Sequence, residues 1–107
     1  VWEATVVPAL ADSGIEFVTV DDYHFVCAGQ PLDALTGHFT TEEDDRRLDL
    51  FPISEQLRYR IPFAPADETV RYLESLATPG RAVAAIYFDD IEKFGIWPET
   101  YDWVYTR

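Results

Sequence analysis

The feature that most constrains this chain is residues 82–88 (AVAAIYF), an unbroken apolar run that closes on Asp89-Asp90. With Pro79-Gly80 ahead of it and acids behind it, such a run is expected of a strand buried on both faces of a parallel sheet. A second short run, residues 15–20 (IEFVTV), stops as abruptly at Asp21-Asp22-Tyr23-His24. Its β-branched and aromatic content predicts another strand. In parallel α/β folds the functional groups gather where strands end and loops meet. Both aspartate pairs are therefore expected on one side of a sheet.

The remaining segments fit that plan. Residues 4–13 carry Val6, Val7, Leu10 and Ala11 at helical spacing. Thr5 is the expected cap, which makes Pro8 tolerable in the first turn, and Gly14 is the expected C-terminal stop. Residues 37–41 and 47–53 read as strands joined by Glu42-Glu43-Asp44-Asp45, a hairpin whose acidic tip discourages edge pairing. A short helix is expected over residues 54–60. A longer one starts at Ala66 or Asp67, with Val70, Leu73, Leu76 and Ala77 on one face, and Thr78-Pro79-Gly80 stops it. The tail is aromatic, with Phe94, Trp97, Tyr101, Trp103 and Tyr105. This order of elements predicts an α/β protein.

Composition excludes several classes of function. The formal net charge is -12, yet 48% of residues are hydrophobic, too many for a disordered segment. The acid excess argues against nucleic acid and anionic membrane as partners. No apolar run approaches the ~20 residues of a bilayer span. The single cysteine forms no internal disulfide, and the chain lacks the ligands of a zinc site. It opens Val1-Trp2-Glu3, with no Met or signal pattern, and stops directly after the aromatic cluster. We expect an internal piece of a longer, cytoplasmic protein.

Each polar constellation has two readings. Asp89-Asp90, followed by Glu92, is either a crowded carboxylate group able to hold a proton for general acid work, or a helix cap with solvated acids. Asp22, Tyr23 and His24 either contact sugar hydroxyls, relay protons or hold a metal, or form a loop with a satisfied histidine. Trp97 either offers a flat face to a sugar ring or packs the tail, and Tyr101 and Trp103 fit packing better. The acidic tip lacks the glycine-bearing loop of a calcium site. Cys27 is expected to be a small buried hydrophobe rather than a nucleophile activated by His24. His38 is expected to face solvent.

Three stretches carry a resemblance: VTVDDYHF at 18–25, LFPISEQLRY at 50–59 and YFDDIEKFGIWP at 87–98. Together they resemble glycoside hydrolase family 57, in its α-amylase and 4-α-glucanotransferase branch, along essentially the whole chain. The resemblance implies part of a distorted (β/α)7 barrel with parallel strands and an inserted hairpin, residues 1–107 being a partial catalytic domain truncated at both ends. It implies a retaining enzyme acting on α-1,4-glucans, with no cofactor and no metal. The family's general acid/base falls on Asp90. Its nucleophile is a Glu two residues before a Val-Trp pair, hence upstream of Val1. Trp97 would stack on sugar, and Glu92, Asp22, Tyr23 and His24 would supply polar contacts. Two positions depart from the family pattern. Ile91 stands where Gly is usual, and Phe88 where His is usual.

Two other classes compete. A metal-dependent polysaccharide deacetylase also has a strand ending in Phe-Asp-Asp, but needs a His-x-x-x-His pair, and His24 and His38 are the only histidines. A non-catalytic carbohydrate-binding module would use only the aromatic and acidic face. Since a retaining glycosidase needs two carboxyl groups, the 107 residues alone are expected to be inactive. A reducing-end assay on maltooligosaccharides checks this, and turnover by the isolated segment would contradict it.

Overall fold

Two aspartates with left-handed backbone make the sharpest turn of the N-terminal half. Asp44 (φ 50°) and Asp45 (φ 61°) join β2 (Phe39–Glu43) to β3 (Arg46–Ile53) in a two-residue hairpin. Positive φ at both central residues matches the right-handed twist of the flanking strands. The expected hairpin and its acidic tip are thus present, with the loop two residues shorter than the sequence suggested. β3 also pairs in parallel with β1 (Phe17–Asp21), giving a mixed three-stranded sheet in the order β1-β3-β2. Pro52 lies beyond the last β2 pairing, Phe39 with Leu50, so its missing N–H leaves no gap on that side.

Period-two alternation along β3 buries Leu48, Leu50 and Pro52 on one face. There Leu48 and Leu50 meet Val20, Val7 and Phe25, with Trp2, Leu10, Val18, Leu35 and Phe39 packed around them. On the other face Phe51 lies between Phe17, edge-on at 5.7 Å, and His38, stacked at 5.6 Å. His38 is exposed, as expected.

Val7 comes from α1 (Val7–Asp12) and Phe25 from α2 (Asp22–Cys27). Thr5 is not the cap of α1. A 3-10 turn, Ala4–Val6, leads directly into the helix, so backbone geometry replaces the side-chain cap and Pro8 sits in the first turn. Gly14 (φ 86°) follows the helix, as expected. Residues 21–24 do not form a loop. The Asp21 carboxylate accepts from the Tyr23 N–H and starts α2, and Gly29 (φ 91°) follows its end. Helical spacing turns Phe25 inward and leaves Cys27 exposed, against the expectation of a buried thiol.

This computed structural model describes residues 2–106. Val1, and with it half of the Val-Trp pair, lies outside the described residues. Contacts divide the chain after Ile53 into two compact units. The second holds α3 (Glu55–Arg60), α4 (Ala66–Leu76) and α5 (Thr100–Tyr105). Ser54 caps α3 by accepting from the Leu57 N–H at 3.2 Å. α4 is the expected amphipathic helix, but it buries no residue, and Val70 and Leu73 stay exposed. Its Tyr72 ring carries the Arg60 guanidinium at 4.4 Å.

Residues 82–88 do not form the expected buried strand. They run without regular structure and make one bridge, at Ile86, whose carbonyl accepts from the Ser54 N–H at 2.8 Å. A strand exists through its ladder, and among the described residues this run finds no further backbone partner. Phe88 is 59% exposed. No described helix is long and apolar enough to cross a membrane.

Leu48, 1% exposed, belongs to the core cluster to which α1, α2 and the sheet all contribute. Leu48→Ala is expected to cost about 2–5 kcal/mol, read as a lower urea midpoint with an unchanged slope.

Candidate active site

The segment from residue 87 to 105 folds around one buried carboxylate. The Asp89 side chain is 1% exposed and pairs with the equally buried ammonium of Lys93, one helical turn on. The Arg58 Nε donates to Asp89 Oδ1 at 3.4 Å, and the Tyr87 hydroxyl donates to Oδ2 at 3.2 Å. Lys93 also donates to the Arg58 carbonyl and stands 4.9 Å over the Phe63 ring. Every bond a buried charge needs is therefore supplied locally.

These contacts act on the titration of both acids. Burial pushes the Asp89 carboxyl up. Hydrogen bonds from Lys93 and the Asp90 N–H, the Lys93 charge and the Tyr87 hydroxyl outweigh it, so the net shift is down from the ordinary 3.8. Tyr87 moves the other way, to about 12, through burial, the neighbouring Asp89 charge and its hydrogen bond to that carboxylate. Asp89 thus stays ionised and compensated by cations. The expected crowding of bare carboxylates around Asp90 is replaced by this ion-paired arrangement.

Asp90 lies on the surface beside it. Its N–H donates to Asp89 Oδ1 at 2.9 Å, and its carbonyl accepts from the Lys93 N–H at 3.2 Å. Its backbone is extended (φ -73°, ψ 130°) and precedes the 3-10 helix Ile91–Phe94. Its carboxylate does not cap that helix and is open to solvent. Of the two readings of Asp89-Asp90, the first residue is a buried anchor and the second a free carboxylate. Glu92 is exposed, and its carbonyl accepts from the N–H groups of Ile96 and Trp97, both at 3.1 Å.

Trp97 is 42% exposed and stacks on Phe63 at 6.3 Å with the rings 22° apart. Trp103 meets the same Phe63 edge-on at 5.9 Å, in the packing role expected of it. Gly95 (φ 138°) ends the 3-10 helix ahead of both tryptophans, and a Cβ there would stand 3.4 Å from the Tyr105 ring. The buried Thr100 hydroxyl accepts from the Gly95 N–H at 3.1 Å and donates to the Trp97 carbonyl at 2.7 Å. The tail is therefore a folded platform that ends in α5, an element the aromatic count alone did not suggest.

The structure brings Asp90, Glu92 and Trp97 together in the second unit. Asp22, Tyr23 and His24 share the first turn of α2 in the first unit. Tyr23 is exposed and its ring meets His24 edge-on at 5.9 Å. Sequence reasoning passed over Arg58, Phe63, Tyr87 and Lys93. The i, i+4 spacing of Asp89 and Lys93 was the available signal. Arg58 gave none, being 31 residues from its partner.

A family model described as "Glycosyl hydrolase family 57" matches residues 1–107. The chain is 49% identical over 107 residues to an "Alpha-amylase" of Pyrococcus abyssi, and 47% identical to a "4-alpha-glucanotransferase" of Thermococcus litoralis, covering 100% of this chain and 16% of each relative. The crystal structure of a 4-alpha-glucanotransferase from Thermococcus litoralis superposes with a TM-score of 0.93 at 47% identity, over 97% of this chain and 16% of that one. The chain thus spans about a sixth of the length of these relatives.

The direction of the Asp89 shift sets a sign for acid stability. A lowered folded-state value contributes stability above the ordinary 3.8 that is lost as pH falls below it. Asp89→Asn is expected to be less stable near neutrality and to show a shallower acid limb in urea midpoints measured from pH 6 to 2.

Proposed function

The chain belongs to glycosyl hydrolase family 57, and from that premise we propose that the complete protein cleaves and transfers α-1,4-glucan chains with retention at the anomeric carbon. Its residues 1–107 form part of a distorted (β/α)7 catalytic barrel, in which β1 and β3 are parallel strands and β2–β3 the inserted hairpin. The names of the relatives, amylase and 4-alpha-glucanotransferase, support this substrate class and reaction. Neither the deacetylase nor the binding-module alternative draws support from these relatives. The free Cys27 thiol is compatible with a reducing, cytoplasmic setting.

The observation that carries the reading is the contrast between two neighbouring aspartates. Asp89 is buried and ion-paired, whereas Asp90 presents an open carboxylate from a backbone held on both sides. A retaining mechanism needs two carboxyl groups about 5–5.5 Å apart. In the first step a Glu, placed upstream of Val1 by the resemblance, attacks the anomeric carbon. The bond to the leaving oxygen breaks, and Asp90 gives that oxygen its proton. In the second step Asp90, now a carboxylate, takes a proton from water or from an incoming sugar hydroxyl, whose oxygen displaces the Glu ester. Water gives hydrolysis and a sugar gives transfer. Trp97 supplies an apolar face for sugar C–H groups. Glu92, Asp22, Tyr23 and His24 are proposed to contact hydroxyls. The partner is therefore an α-glucan oligosaccharide or polysaccharide.

Asp90→Asn in the complete protein is expected to lower turnover of maltooligosaccharides by about 10²–10⁴-fold while glucan binding persists. Hydrolysis and transfer assays with isothermal titration check it. Unchanged turnover would remove Asp90 from the mechanism, and glucan binding without turnover in the unaltered complete protein would favour the binding-module reading.

A further inference from the structure

We propose that Lys93 is a positioning residue for Asp90: its buried contacts with Asp89 and the Arg58 carbonyl fix the backbone from which the Asp90 carboxylate reaches the glycosidic oxygen. The inference rests on the reading of Asp90 as acid/base. Lys93 is 4% exposed, with its ammonium directed to Asp89, the Arg58 carbonyl and the Phe63 ring. No sugar reaches it, so it acts through its neighbours.

The chain of contacts is short. A side chain of Asp length is aimed mainly by its own backbone, and both polar groups of Asp90 are held. Its N–H is bound by Asp89 Oδ1 and its carbonyl by the Lys93 N–H. Asp89 in turn is oriented by Lys93 and Tyr87 on Oδ2 and by Arg58 on Oδ1. Lys93 is thus bonded to the Asp90 backbone directly through its main chain and indirectly through its side chain. The same cluster reaches the stacking ring, because Phe63 packs against both Lys93 and Trp97. One ammonium therefore sets the acid and its neighbouring platform in a common frame.

A purely stabilising role would not require this chemistry. Removing charges from water is costly, and well-packed apolar residues often stabilise a core as well or better than a buried ion pair. What an ion pair with directed hydrogen bonds adds is a fixed geometry. Misplacement by about 1 Å costs on the order of 100-fold in rate.

The test compares leaving groups in the complete protein. A glucan oxygen needs a proton to leave, whereas fluoride departs from an α-maltosyl fluoride without that help. Lys93→Met is expected to lower single-turnover cleavage of maltooligosaccharide by about 100-fold, with KM little changed. The first burst of fluoride release should fall by less than about fivefold on the same argument from leaving-group need for a proton. Lys93→Arg, which keeps the charge, should recover part of the loss. Tyr87→Phe removes one hydrogen bond to Asp89 and is the variant to read if Lys93→Met does not fold. It should show the same split at about 3- to 10-fold. Equal losses on both donors, or no loss on glucan, would overturn the proposal. Asp90→Asn measured alongside separates the two readings. If it shows the split and the Lys93 and Tyr87 variants do not, only the positioning role fails. If Asp90→Asn loses both donors equally, the acid/base reading fails and the positioning role with it.

Discussion

The second unit depends on a charge that has been taken out of water. Ionised Asp89 inside an apolar setting would be untenable alone, because the desolvation cost of a lone carboxylate is several kcal/mol or more. Four groups share the task of holding it: Lys93, Arg58, Tyr87 and the Asp90 N–H. They come from α3, from the run before the aspartates, and from the 3-10 helix after them. Asp89 is therefore the point at which separate stretches of sequence are tied together. In this unit it does what a packed aliphatic cluster does in the first, where Leu48 and Val7 are fully enclosed.

Aromatic packing extends that anchor to the end of the described chain. Phe63 is the common neighbour of Lys93, Trp97 and Trp103. Gly95 turns the chain with positive φ ahead of Trp97, Glu99 (φ 69°) turns it again before α5, and the buried Thr100 hydroxyl satisfies two backbone groups at once. The positive φ of residue 95 favours glycine, since a β-carbon there would only touch the Tyr105 ring, at 3.4 Å. Exposure of Trp97 is thus a consequence of how the tail folds, with one face turned to Phe63 and the rest left to solvent.

What the sequence made legible was local. Turn chemistry and period-two alternation located the hairpin, since Asp44-Asp45 tolerates left-handed backbone and Leu48, Leu50 and Pro52 alternate with polar or half-buried neighbours. The stop at Gly14 was legible for the same reason, whereas α4 ends at Leu76, so that Ala77, expected on its apolar face, is already extended ahead of Thr78-Pro79-Gly80. Residues 82–88 misled because hydrophobicity reports a demand for burial, whereas a strand also needs a backbone partner, and only Ile86 finds one among the described residues. The helix over Asp22–Cys27 was missed although Asp21 and Gly29 flank it as cap and stop. Asp89 was misjudged as part of a repulsive cluster. Acids read in a row look alike, and the cations that distinguish them arrive from positions 58 and 93.

That distinction is what the acid/base cycle proposed for Asp90 would draw on. A residue that gives up a proton and later takes one back must exist in both charge states without disturbing its surroundings. An anchor must do the reverse and keep one charge state throughout, since losing it would release the neighbours it orients. Asp89, held below its ordinary value by its cation and donors, fits the second description. Asp90 has a solvent-open side chain, and its backbone bonds are made independently of its carboxylate. Two carboxylates with different environments and different duties are a recurring solution in glycosidases. Here the contrast arises between neighbours in sequence: extended backbone sends successive side chains to opposite sides, so one apolar run can deliver an anchor inward and an open carboxylate outward.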